Sequence, residues 1–345
     1  MQPTGTTNVI PAAREHVSVG EPGVTVVVPN LNHGKFLNGA LSALANQSMP
    51  PARILLFDDG STDDSLEVAE HCAARMPTLE VVRNAERRGV VGSCNAGLER
   101  TATEYVYFAA ADDCVLDGFL ETAVRLLEQH SDAPLCGQGT VIMTEDGDMP
   151  KPAAAIEDLG PERYMPPPEI YRQFRRQSFF LRGNATVYRT SMLRGLGGLP
   201  DLGPYADGAM IFLLSVIHGA CVSPAARSAW RHVSQGYSLS TQRDVGVSKT
   251  LIHEASRWLE SHAGGELRPG LIAEWRDHAT YHVASPLALR GASTQLRELV
   301  GQGLPVSLSR MGSLGRWFAN ALLLMKLTPR VTTSLLAMKL GGRRA

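Results

Sequence analysis

Val24–Val28 is an unbroken β-branched run closed by Pro29, the pattern of a strand buried on both faces of a parallel sheet. Between Phe36 and Ala45 the apolar positions change period: Leu37, Ala40, Leu41, Leu44 and Ala45 fall on one helical face. The alternation continues. Arg53–Phe57 reads as a strand, Asp63–Arg75 as a helix, Leu79–Val82 as a strand, Val91–Arg100 as a helix and Tyr105–Phe108 as a fourth strand. Strands separated by single helices predict right-handed βαβ units and a mostly parallel sheet. Polar turns would then share the carboxyl edge of that sheet, where ligands bind in open α/β folds. Three clusters are placed there: Pro29-Asn30-Leu31-Asn32, Asp58-Asp59-Gly60-Ser61 and Ala111-Asp112-Asp113.

Beyond Asp113 the pattern loosens. Phe119–Gln129 reads as a helix and Leu135–Thr144 as a strand, followed by a Pro-rich surface loop over Pro150–Pro168. A short helix at Ile170–Arg176, a strand at Asn184–Tyr188 and a buried helix at Ala209–His218 follow. After Val245 only helices are predicted, Leu251–Glu260 and Glu274–Ser285, the second stopped by Pro286. The expected organisation is a loose arm over 1–23, two halves of one α/β domain over 24–118 and 119–240, and a helical extension over 241–345.

Composition narrows the function classes. The 345 residues carry 33 Lys+Arg against 34 Asp+Glu, a net charge of -1, which argues against a polybasic nucleic-acid binder. With 44% hydrophobic and 19% charged residues the chain can bury a core. No stretch has the length and apolarity of a membrane span, and Met1–Gly23 has no signal-peptide core, so a cytoplasmic protein is expected. The five cysteines are scattered with no Cys-x-x-Cys spacing, as in reduced thiols.

Candidate chemistry sits in the polar turns. Asp58-Asp59-Gly60-Ser61-Thr62-Asp63 is either a tight turn with a helix cap or a carboxylate that meets a nucleobase or ribose. Phe108-Ala109-Ala110-Ala111-Asp112-Asp113 ends an apolar strand in paired carboxylates, which suit a divalent cation or a solvated strand end. Asp207, in Tyr205-Ala206-Asp207-Gly208, is a helix cap or a general base. His278 and His282 stand four apart, but without the glutamate of a metalloprotease helix. The first strand lacks G-x-G-x-x-G and Gly89-Val90-Val91-Gly92 lacks a trailing Lys, which removes the sequence support for hydride transfer or a P-loop.

Taken in order, VTVVVPNLNHGKFL, ILLFDDGSTDDS, RNAERRGVVGSCNAGLERTATEYVYF, AADD, GNATVYRTSMLRGLGG and YADGAM resemble the family 2 glycosyltransferases, from about Val24 to Ser240. The resemblance implies the GT-A fold, a Rossmann-like α/β sheet flanked by helices, here with a C-terminal helical extension. It implies an inverting transfer from a nucleoside diphosphate sugar, UDP most of all, to a glycan or lipid-linked acceptor. Pro29, Asn30 and Asn32 match the nucleotide loop, Asp59 the base-binding carboxylate, and Arg88 and Asn95 further donor contacts. Asp112 matches the last Asp of the D-x-D motif and Asp113 the acidic residue after it. Asp207 matches the catalytic base, and His232 a late metal or diphosphate ligand. The implied cofactor is Mn²⁺ or Mg²⁺, with His232 favouring Mn²⁺.

Two positions depart from the family pattern. Ala110 stands where the first D-x-D aspartate is expected, and Gly208-Ala209 follows Asp207 where relatives carry a bulky residue and an acid. The first departure motivates a rival reading as a catalytically impaired module that binds nucleotide-sugar or glycan. A nucleotidyltransferase is a second rival, but PNLNHGK supplies little for a triphosphate. From Gly301 to Ala345 the chain has no acid, and its basic residues interleave with Trp317, Phe318 and Leu322–Met325. That segment suits either peripheral contact with an anionic membrane at its inner face or a helix pair packed on the catalytic domain.

Overall fold

The computed structural model describes residues 20–147, 151–152, 159–177, 179–233, 241, 244–265, 267–268, 270–290, 295 and 299. The basic segment 301–345, for which the sequence left membrane contact and packing on the core both open, lies outside them, as do most of the N-terminal arm and residues 234–240.

The first half alternates as its hydrophobic periods require. It runs β1 (Glu21–Asn30), α1 (Gly34–Ala45), β2 (Arg53–Asp58), α2 (Ser65–Ala73), β3 (Leu79–Arg83), α3 (Gly89–Glu99) and β4 (Thr103–Phe108). The second half is β5 (Cys114–Val115), α4 (Phe119–Gln129), β6 (Leu135–Met143), β7 (Lys151–Pro152), β8 (Arg163–Met165), α5 (Pro167–Arg176), β9 (Thr186–Arg189), α6 (Thr190–Gly195), α7 (Ala206–His218) and β10 (Ala220–Arg231). Two long helices close the described chain, α8 (Val245–His262) and α9 (Leu271–Arg290).

One mixed sheet runs β3-β2-β1-β4-β9-β6-β10-β5, with β7 beside β6 and β8 beside β10. Its β3-β2-β1-β4 half is wholly parallel, and β9 enters antiparallel between β4 and β6. Both faces are covered, which explains why β1 and β2 carry apolar residues without a polar alternate. Val27, Leu55 and Phe57 face the core beneath α3 and α7; Val26, Val28, Ile54 and Leu56 face the core beneath α1 and α4. Each such side chain removed from water contributes about 1.5–3 kcal/mol. At Gly97 of α3 a β-carbon would overlap Val27 Cγ1, so the absent side chain lets α3 lie directly on β1.

Five readings of the sequence change here. The arm ends earlier, because β1 begins at Glu21. The Pro150–Pro168 loop contains β7 and β8, and α5 starts at Pro167, whose fixed φ suits a first helical turn. The Asn184–Tyr188 strand opens as a 3-10 turn at Gly183–Ala185 before β9. Helix α9 is not stopped by Pro286 and runs on to Arg290. The sequence reading assigned no strand at β10: Pro224 and four alanines blur its period, and the pairing with β6 shifts register between Ser223 and Ala226.

Candidate active site

The carboxyl edge of the parallel half gathers the three polar clusters. β1 and β2 end in register, Asn30 opposite Asp58. Asp58 is buried; its Oδ1 accepts from Asn30 Nδ2 at 2.9 Å and from Ser61 Oγ, and its Oδ2 from the N–H of Ser61 at 3.1 Å. Asn32 takes a left-handed backbone, φ 58°, which asparagine tolerates. There its N–H donates to Ser61 Oγ at 2.9 Å and its Oδ1 accepts the N–H of Thr62 at 2.7 Å. Asn30 and Asn32 therefore knit the first two loops together, while Pro29 lies opposite Phe57 in the strand register. Asn30 Oδ1 is left buried with no hydrogen-bond partner among the described residues.

Asp59 organises the next loop. Its Oδ1 accepts from Arg88 N at 2.7 Å and Asn84 Nδ2 at 2.9 Å, and its Oδ2 from Gly89 N at 2.9 Å. Burial alone would raise this carboxyl, but these bonds and the Arg87 charge outweigh it and hold the pKa below the ordinary value. The Arg88 side chain is exposed at the rim. Asn95 bonds elsewhere. Its Nδ2 donates to Leu199 O at 2.9 Å and its Oδ1 accepts Leu199 N at 2.8 Å. With both amide atoms so engaged, it ties α3 to the loop before α7.

At the end of β4 the two acids diverge. Asp112 faces the first loop, its Oδ2 4.0 Å from His33 Nε2. Asp113 turns inward and is 5% exposed, its Oδ1 accepting Arg231 N at 2.8 Å. Burial and the Asp112 charge push its pKa up to about 8. Arg231 also donates from Nε to Asp112 O at 2.8 Å and from Nη1 to Glu145 O at 2.7 Å. The last residue of β10 thus clamps the acidic turn. His232 is exposed, its ring 5.6 Å from that of Trp230. Among the described residues no group of three or more His, Cys, Asp or Glu could hold a metal ion. His278 and His282 pack against Phe174 and Phe179, respectively.

Asp207 is the second residue of α7. Burial raises the pKa values of Cys94 and Tyr188, and the charge of the Asp207 carboxyl adds to it. Its own pKa is raised by burial, partly offset by the N–H of Gly208, which donates to Oδ1 at 2.7 Å. The cap role allowed by the sequence does not extend beyond that neighbouring N–H. Against the other oxygen lies Gly183, where a β-carbon would overlap Oδ2. The next residue, Asn184, faces Asp113 closely enough to lower its pKa, while its Nδ2 is buried with no well-formed hydrogen bond to any described residue. Two consecutive residues, Gly183 and Asn184, thus meet the Asp207 carboxylate and the acidic turn respectively.

The family model for glycosyl transferase family 2 matches residues 25–197, which span β1 to the loop after α6. The chain belongs to glycosyl transferase family 2. As a member of that family it resembles an uncharacterised glycosyltransferase of Escherichia coli, YibD, at 31% identity over 33% of this chain and 33% of that protein. It also resembles the Campylobacter jejuni GalNAc(5)-diNAcBac-PP-undecaprenol beta-1,3-glucosyltransferase, at 27% identity over 38% of this chain and 41% of that protein. These matches span well under half of the relatives' own length. Among solved structures, Staphylococcus aureus TarS 1-349 in complex with UDP-GlcNAc superposes with a TM-score of 0.60 at 16% identity, covering 92% of each chain. The mannosyltransferase PcManGT from Pyrobaculum calidifontis, in complex with GDP-Man and Mn²⁺, gives 0.50 at 18% identity over 88% of this chain and 87% of that one. At such identities the likeness shows the GT-A fold.

Sequence reasoning missed His33, Arg231 and Gly183. His33 lay unremarked inside a quoted motif. Arg231 acts from a strand that the hydropathy pattern hid. Gly183 matters only through the distant Asp207.

Proposed function

We propose that this glycosyltransferase moves a sugar from a UDP-sugar to an acceptor hydroxyl with inversion, Asp207 acting as general base. The observation that carries this reading is the short link from the Asp207 carboxylate through Gly183 and Asn184 to the acidic turn. A donor with its diphosphate at Asp112 would present its anomeric carbon near Asp207. Burial makes that carboxyl a stronger base than an ordinary aspartate. Asp207 takes the proton of the acceptor hydroxyl as that oxygen bonds to the anomeric carbon. The bond to the diphosphate breaks on the opposite face and UDP leaves with the electron pair. Holding both reactants in line supplies much of the acceleration.

For the donor, the buried orphan Asn30 Oδ1, the Asp59-braced loop and the exposed Arg88 are the proposed nucleotide contacts. A divalent cation fits the residues present. Mg²⁺ and Mn²⁺ accept one or two protein ligands completed by substrate phosphate and water, and Asp112 with the adjacent His33 meets that demand without Ala110. Bound there, the cation would neutralise charge on the leaving diphosphate. Asp113 supports it by bracing the turn, and His232 stands beside the clamp at Arg231.

A lipid-linked glycan acceptor agrees with the name of the Campylobacter relative, and contact with the inner face of a membrane is proposed along with it. No helix among the described residues is long and apolar enough to cross a membrane. The test is transfer from a panel of UDP-, dTDP- and GDP-sugars by wild type and Asp207→Asn. Metal-dependent transfer that Asp207→Asn abolishes is expected. Donor binding with no turnover in either form would favour the impaired binding module that Ala110 suggests.

A further inference from the structure

Helix α5 has two unlike faces. Ile170 and Phe174, one turn apart, are buried, while Arg172, Arg175 and Arg176, three and four positions apart, stand exposed on the other side. The buried face packs on α7, the helix whose first turn holds Asp207. There the Phe174 ring lies 4.8 Å from that of Phe212 and 6.2 Å from that of Phe179. Phe179 in turn reaches the residue after Asp207, since its Cε1 would sit 3.7 Å from a β-carbon at Gly208.

The exposed face is widened by a residue from elsewhere in the chain. The guanidinium carbon of Arg175 lies 5.7 Å from the Tyr171 ring centroid, and that of Arg268, in the loop between α8 and α9, lies 5.3 Å from it. Two guanidinium groups far apart in sequence thus meet on one ring. Few acids offset them. Glu274 serves Arg175 at 3.3 Å, and Glu169 serves Arg163 at 2.6 Å. Arg172, Arg176 and Arg268 make no ion pair with any described residue, although all three are exposed. Gathered cations repel one another, and a counter-charge from outside the described fold would relieve that. The whole chain has a net charge of -1, so this is a local asymmetry, not a general excess of base. The stretch Gly301–Ala345 contains no Asp or Glu and cannot supply the missing acid.

Shape selects the counter-charge. The helix is 10 residues long, and its arginines stand on a convex outer face that cannot enclose a small anion. A plane of phosphates meets them all at once, and a guanidinium fork binds phosphate oxygens in pairs. We propose that the outer face of α5, with Arg172, Arg175, Arg176 and the neighbouring Arg268, docks this chain on an anionic lipid surface. The inference rests on the membrane contact proposed above and assigns it a surface. A bilayer seated there lies one helix diameter, about 10 Å, from α7, which holds a lipid-borne acceptor close to Asp207.

The full chain, without donor or acceptor, is sedimented with phosphatidylcholine vesicles made with and without phosphatidylglycerol. Wild type is expected on the anionic vesicles alone and should leave them as salt is raised. A basic side chain at such a surface is worth roughly fivefold in partitioning, so Arg172→Gln/Arg176→Gln should bind about tenfold more weakly or worse. A control removes the same charge at the β3 edge of the sheet: Arg75→Gln/Arg83→Gln should bind as wild type does. Absence of wild-type binding to anionic vesicles overturns the proposal. So does undiminished binding by the α5 variant, which would place the contact elsewhere on the chain, or an equal loss in the control. Arg268→Gln, on a separate loop, is read the same way should the α5 variant not fold. Since neither sugar donor nor acceptor is present, failure here leaves the transfer reading standing, and failure of transfer leaves this surface standing.

Discussion

Gly183 presses against the Asp207 carboxylate so closely that any β-carbon there would overlap Oδ2. Gly183→Ala must therefore move either the turn or the carboxylate. Misplacement of a reacting group by about 1 Å costs roughly a hundredfold, so transfer should fall by about that factor. The check is kcat beside a thermal melt: the loss should appear in kcat, with a melting temperature close to wild type.

Asp207 works as a base only when ionised, and burial raises its pKa. The rate of transfer should rise with pH through that raised value, so the acidic limb of the pH–rate profile lies above the ordinary aspartate pKa of 3.8. The stability effect has the opposite sense. The folded carboxyl holds its proton more tightly than the unfolded one, so this group favours folding at low pH. That advantage fades as pH rises from the unfolded pKa through the folded one. Asp207→Asn should lose about 10²–10⁴-fold in rate, the range of general-base contributions, yet melt no lower than wild type at neutral pH.

Asp59 has the reverse linkage. Its lowered pKa means that its contribution to stability is present above the unfolded value and is lost as pH falls through the folded one. Asp59→Asn would turn an amide N–H toward the donors of Arg88 or Gly89. It should cost about 1–3 kcal/mol by leaving a buried donor unpaired. UDP affinity measured by calorimetry should fall with it, because the 84–89 loop is then no longer fixed.

Gly97 is a packing prediction remote from the chemistry. Gly97→Ala drives a methyl into Val27 beneath β1 and should cost about 1–3 kcal/mol, the usual range for overpacking. Chemical denaturation should show the loss while UDP affinity per folded molecule is retained.

Removal of divalent cation by EDTA should weaken UDP binding in wild type. Asp112→Asn should weaken it about as much in the presence of Mn²⁺, and His33→Gln by less. UDP binding indifferent to EDTA would remove the cation from the proposal.

The sequence by itself determined the parallel half of the sheet. Its strands are buried on both faces, and its helices carry one apolar stripe, so the period of hydrophobic positions is dictated locally. The edge on which Asn30, Asp59 and Asp112 converge follows from that order. The residue proposed as the base was marked too, because Asp207 opens an apolar helix.

Only the tertiary structure decided the rest. β10 owes its place to pairing with β6 across a register shift, so its local pattern carries no strand period, and the Arg231 clamp was invisible with it. Helix α9 passes Pro286, which the local rule reads as a stop. Asp113 and Asn95 carry the residue types of ligand contacts, yet one braces β10 and the other ties down Leu199. A side chain's partners depend on which distant backbone arrives beside it, and Asp207 meets Gly183, which comes from a turn far back along the chain.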